Sequence, residues 1–131
     1  MTVTVFGVTA GTGFLEARVG SYSTNVAVQV NSPVLTFSPV PSTNTVGDAR
    51  TVMVTRPLTQ AGSSLSISLA SLAPGVFSLG SANATIAAGY ASATVMVYGV
   101  TSGSGLLEAR VGAYATNLSV IVNNPTLTFL P

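Results

Sequence analysis

The chain has no cysteine, no histidine, no tryptophan and no lysine among its 131 residues. Without cysteine there is no disulfide framework, thiol nucleophile or thiolate metal site. Without histidine there is no imidazole base, and the commonest transition-metal ligand is missing. Charge is scarce: four arginines and three carboxylates make 5% of the residues, against about 25% in an ordinary soluble domain. A net charge of +1 on scattered arginines cannot neutralise a run of phosphates, which argues against a nucleic-acid partner. No run approaches the ~18 uninterrupted apolar residues of a membrane-spanning helix. Apolar residues still make up 47%, so the composition is not that of a disordered chain. Threonine and serine together number 33. The polar surface is therefore made of hydroxyls, amides and backbone rather than ions.

The chain also repeats itself. Residues 2–39 and 94–131 align without a gap at an offset of 92, with 25 identities in 38 positions. Most differences are conservative, such as Phe6/Tyr98, Phe14/Leu106 and Val26/Leu118. This defines a tandem repeat with a 92-residue period. Length alone predicts about one domain. The repeat predicts instead one full period and a 39-residue partial copy. Met1 aligns with Ala93 at the start of a strand-like run, with no signal peptide ahead of it. The expectation is a window of a longer array.

The hydrophobic period is two. Ser64-Leu65-Ser66-Ile67-Ser68-Leu69 alternates throughout, as do Leu107, Ala109 and Val111 against Glu108 and Arg110. Leu118, Val120 and Val122 repeat the pattern, and β-branched residues dominate. Turn residues recur every 8–12 positions, at Pro39–Pro41, Pro57–Gly62, Pro74-Gly75, Gly80, Ala88-Gly89, Thr101–Gly105 and Gly112. Strands are expected over 33–38, 50–56, 64–70, 76–79 with 83–87, 92–100, 105–112 and 114–122. Seven or so short antiparallel strands in one period is the pattern of a β-sandwich.

The run from Ala49 to Val122 resembles the bacterial immunoglobulin-like tandem repeats of giant cell-surface, adhesin-type or filament proteins. The Ser-Leu-Ser-Ile-Ser-Leu strand carries the resemblance, with Pro74-Gly75-Val76-Phe77, Ile86-Ala87-Ala88-Gly89, Ala93-Thr94-Val95 through Gly99-Val100, and the closing strand. It implies an all-β, immunoglobulin-like antiparallel sandwich and a spacer role, with no catalytic residues to carry over. The antibody Cys…Trp…Cys core is absent.

On this parse, residues 1–32 are the C-terminal strands of a preceding repeat. Residues 33–124 are a complete repeat, and 125–131 the first strand of the next. The inter-domain linkers are Asn31, Ser32 and Pro33, and Asn123, Asn124 and Pro125. Proline there stops the ladder and stiffens the joint, so successive domains should stack end to end. The apolar face of the first fragment (Val3, Val5, Leu15, Ala17, Val19, Val26, Val28, Val30) needs partner strands. They come from upstream in the same chain or from a neighbouring copy by strand complementation.

Few side chains offer chemistry. Glu16/Arg18 and Glu108/Arg110 read as exposed intrastrand ion pairs, with registration of neighbouring rods as the functional alternative. Asp48-Ala49-Arg50 reads as loop chemistry. Three carboxylates, two of them repeat-equivalent, make neither a calcium cage nor a glycosidase pair. The glycine-rich runs 7–13 and 99–105 lack the lysine and following helix of a phosphate loop and read as hairpin connections. Asn83-Ala84-Thr85 and Asn117-Leu118-Ser119 match the N-glycosylation pattern, as chance alone gives in a chain of this composition. Phe6, Met96, Tyr98 and Ile121 are apolar at outward parity and are the candidate lateral contacts, with Met53 beside them. Tyr22, Tyr90 and Tyr114 are the only aromatic platform for a glycan or protein ligand.

No cofactor, metal or catalysis is expected. The sequence reads as a structural repeat of an extracellular filament or cell-surface stalk whose partners are neighbouring copies of the same repeat. The alternative is an adhesin repeat that grips a glycan or protein through its loops.

Overall fold

The computed structural model describes residues 1–130, in two compact units, Met1–Ser32 and Pro33–Pro131. The first unit is one hairpin, β1 (Gly11–Val19) and β2 (Tyr22–Val30). Its register runs from Val19↔Tyr22 at the tip to Gly11↔Val30. The two-residue loop starts with Gly20 at φ +60°, which matches the right-handed twist of the strands. Residues 1–8, the repeat-equivalents of the strand expected over 92–100, form no strand. Their repeat-equivalents gain a ladder only from strands that this unit lacks, as the second unit makes plain.

That second unit contains β3 (Thr36–Ser38), β4 (Ser42–Thr45), β5 (Ala49–Thr55), β6 (Leu65–Ser71) and β7 (Phe77–Leu79), then β8 (Asn83–Ile86), β9 (Ser92–Gly99), β10 (Gly103–Val111) and β11 (Tyr114–Asn123). They form two sheets, ordered β3-β5-β9-β7 and β4-β11-β10-β6-β8. The alternating apolar residues meet between them. Val52, Val54, Phe77, Val95 and Val97 come from the first sheet, and Ile67, Ile86, Leu107, Leu118, Val120 and Val122 from the second. All are buried, so the fold is an immunoglobulin-like β-sandwich whose core rests on period-two alternation. Among the described residues one 3-10 turn, Leu58–Gln60, connects β5 to β6.

Four expectations change. β4 had no place in the strand reading, because Ser-Thr-Asn-Thr has no apolar alternation. It pairs parallel with β11, Val120↔Ser42 to Asn123↔Thr45. Asn44 is buried, and its Nδ2 donates to the Val97 carbonyl at 2.8 Å, so one amide ties β4 to the opposite sheet. Secondly, the loop between β9 and β10 is a crossover between sheets, not a hairpin. It is held by Thr101, whose hydroxyl donates to the Gly75 carbonyl at 2.6 Å. Thirdly, residues 124–130 form no strand, although 125–131 was expected as one; Pro131 lies outside the described residues. The expected first strand at 33–38 is reduced to β3.

The fate of residues 1–8 follows from β9. This strand is held between β5 and β7, through Ala49↔Tyr98 to Thr55↔Ser92 on one side and Phe77↔Gly99 to Leu79↔Val97 on the other. The first unit has no counterpart of either neighbour, and an isolated strand has no ladder to join.

Candidate functional site

Among the described residues the candidates are the surfaces and ends of the strands, because the carboxylates do not gather. Each carboxylate pairs with the arginine two residues on: Glu16 with Arg18, Asp48 with Arg50 at 3.3 Å, Glu108 with Arg110 at 2.6 Å. All three pairs lie on the surface. Asp48–Arg50, read from sequence as loop chemistry, is thus a third copy of the same i, i+2 device. The hydrogen bond that the Arg110 guanidinium donates to the Glu108 carboxylate, and then that carboxylate's charge, hold the guanidinium above its usual range. Among the described residues no three His, Cys, Asp or Glu side chains gather as a metal site, and no helix is long and apolar enough to cross a membrane.

Arg56 is the exception that sequence reasoning missed. It is 3% exposed and faces carbonyls rather than a carboxylate. Its Nε donates to Tyr90 O at 3.2 Å and its Nη2 to Ala87 O at 3.0 Å and Ile86 O at 3.4 Å. The side chain closes the loop between β8 and β9 at one pole of the sandwich. Its only sequence signal is a lone arginine at the end of a strand next to Pro57.

The candidate lateral contacts do not share one face. Met96 and Tyr98 lie on the outer face of β9, 38% and 42% exposed, and Met53 beside them on β5 is 40% exposed. Thr51 Oγ1 reaches Met96 Sδ at 3.3 Å. Ile121 belongs to β11 in the other sheet and is half-buried. Phe6 is 73% exposed and lies outside any strand. The tyrosines divide as well. Tyr90 is exposed in the loop after β8, and Tyr22 is exposed on the hairpin of the first unit. Tyr114 is half-buried, and its hydroxyl accepts the Leu35 N–H at 3.2 Å, which leaves it poorly placed as a platform. Asn83 and Asn117 are both exposed at strand positions.

The residues expected as linkers lie outside the strands, with one exception. Asn31 and Ser32 are exposed and strand-free, and Pro33 is half-buried. Asn123 is the last residue of β11 rather than linker, and its carbonyl accepts the Val46 N–H at 2.9 Å. The free segment starts at Asn124 and Pro125, both exposed. Thr36, at the entrance, pairs with Thr55, which pairs with Ser92 at the start of β9. Asn123, at the exit, lies beside Val46 and Gly47, and Gly47 donates to the carbonyl of Gly99 at the end of β9 at 3.0 Å. Entrance and exit are thus separated by the length of β9, about 23 Å.

No protein-family model matches the sequence. No curated protein matches it either. Solved structures do resemble it. Domains 1–6 of the surface layer protein SbsC align with a TM-score of 0.57 and 19% identity, over 90% of this chain and 17% of that one. Domains 4 and 5 of the same S-layer protein give 0.53 and 21%, over 87% and 58%. The C-terminal 282-residue fragment of intimin, solved in complex with the intimin-binding domain of its translocated receptor, gives 0.54 and 19%, over 70% and 33%. The fold therefore belongs to the class of β domains built into surface-layer protein and intimin. The chain spans less than a fifth of the first of these structures.

Proposed function

We propose that this chain is a stretch of a tandem-repeat structural protein of the cell surface or extracellular space, whose sandwiches act as rigid spacers. The observation that carries this reading is the opposed placement of entrance and exit. Chain that enters at Thr36 and leaves after Asn123, about 23 Å along the strands, adds length with every 92-residue period. Proline at residues 33 and 125 stiffens each joint. The likeness to S-layer domains supports a surface location, and the poverty of charge fits a part that bears load rather than performs chemistry. On this reading the protein is not an enzyme, and its partners are neighbouring copies of the same repeat.

The test is small-angle scattering of chains with one, two and three added periods. The maximum dimension should grow by a constant increment of at least about 20 Å per period. Growth that falls off as the cube root of mass would overturn the spacer reading. The adhesin alternative rests on exposed Tyr90 and on the likeness to intimin. It requires glycan or protein binding that Tyr90→Ala abolishes.

A further inference from the structure

The hairpin β1–β2 has the register of β10–β11 shifted by the repeat offset: Gly11↔Val30 corresponds to Gly103↔Val122, and Val19↔Tyr22 to Val111↔Tyr114. In the second unit both edges of this hairpin are paired from one stretch of chain, residues 33–91, and its apolar side faces that stretch together with β9. Ser68–Ser71 of β6 pair with Arg110–Leu107, and Ser42–Thr45 of β4 with Val120–Asn123. Glycine at 105 is required there, because a Cβ would lie 2.3 Å from Ala73 Cβ. A Cβ on Gly103 would meet Val76 at 3.3 Å. In the first unit the same glycines, Gly11 and Gly13, have nothing within 4 Å, and a groove in which Phe6, Phe14, Leu15 and Val30 lie beside Thr9 and Thr12 is open to water.

We infer that the uncovered face of β1–β2 is a docking surface for another copy of the segment 33–91, supplied ahead of residue 1 in the same polypeptide. This deepens the tandem-repeat reading and rests on it for the recurrence of that segment. The internal copy states what the partner must carry: a β6-like edge for Leu15–Arg18, a β4-like edge for Val28–Asn31, and an Ala73 equivalent against Gly13. A second molecule of this chain is the weaker source by counting. Each chain has two hairpins and one 33–91 segment, and that segment is already filled by β9–β11. Exchange between molecules uncovers as much apolar surface as it covers.

The experiment places residues 33–92 directly before Met1, which restores the spacing at which Ser92 precedes Ala93. Amide hydrogen exchange is then measured over Leu15–Arg18. Protection should rise at least ~100-fold, to the level of Leu107–Arg110. Gly13→Val should abolish that gain in the extended chain and leave Leu107–Arg110 protected in both chains. Unchanged protection after extension, or a gain that survives Gly13→Val, would overturn the inference. So would protection in the unextended chain that rises with protein concentration, because it would assign the surface to exchange between molecules. Protection without growth in length would instead reject the spacer role and leave the docking surface intact.

Discussion

The same hairpin occurs twice in this chain and meets opposite surroundings. In β10–β11, Leu107 is 0% and Leu118 1% exposed; their counterparts Leu15 and Val26 in β1–β2 are 40% and 56% exposed. Turn, register and ion pair are nevertheless shared, with Gly20 at φ +60° and Gly112 at φ +58°. Local sequence therefore determines pairing, since a two-residue loop with glycine first sets which residues face each other. Burial is determined elsewhere, by residues 33–91. Substitutions made at matched positions separate these two contributions.

The largest contrast is expected at the core. Leu107→Ala should lower the unfolding free energy by about 2–5 kcal/mol, because a buried leucine leaves a cavity. Leu15→Ala should change it by less than ~0.5 kcal/mol. Denaturant titration of both variants measures this, and equal losses would mean that the first hairpin is as covered as the second.

Arg56 belongs to the segment that the first unit lacks. Arg56→Met should destabilise the second unit by about 3 kcal/mol, since two or more carbonyls lose a charged donor. Arg56→Lys should restore part of this, as a point charge reaches fewer of them. A neutral Arg56→Met would mean that water replaces the guanidinium without loss.

Packing gives the next contrast. Gly105→Ala places a methyl 2.3 Å from Ala73 and should cost about 1–3 kcal/mol. Gly13→Ala, with nothing within 4 Å, should be neutral. A smaller effect is expected at the tyrosines. Tyr114→Phe leaves the Leu35 N–H unpaired and should cost about 1 kcal/mol, while Tyr22→Phe should cost nothing measurable. Thermal midpoints of the four variants rank them.

These contrasts also mark what the sequence could disclose. Strands β5, β6 and β9 to β11 follow from period-two alternation, because each has one face in the core. β4 escaped because its buried face is Ser42 and Asn44; polar residues satisfied by hydrogen bonds look like loop. The β9–β10 connection read as a hairpin because its turn residues are those of one, and only the packing of two sheets reveals a crossover. Residues 1–8 carry the pattern of β9 without the strands that would hold it. Arg56 was visible only as an isolated charge, since its partners are main-chain carbonyls some thirty residues further on. The candidate contacts separated for a related reason: parity states which side of its own sheet a residue faces, not which sheet.

The smallest effect concerns the ion pairs, and here the two hairpins should behave alike. Glu108→Gln and Glu16→Gln each remove a surface pair that water and salt screen, so neither should shift the thermal midpoint measurably. The linked pH dependence has a definite sign. Arg110 is held above its usual range by Glu108, so its contribution is present throughout the neutral range and is lost only as pH rises through the raised value. With no histidine in the chain, no side chain has an ordinary pKa between pH 6 and 8. The thermal midpoint should therefore stay constant from pH 6 to 8 and move little between low and high salt. A midpoint that shifts by several degrees across that interval would mean that a titrating group is coupled to folding.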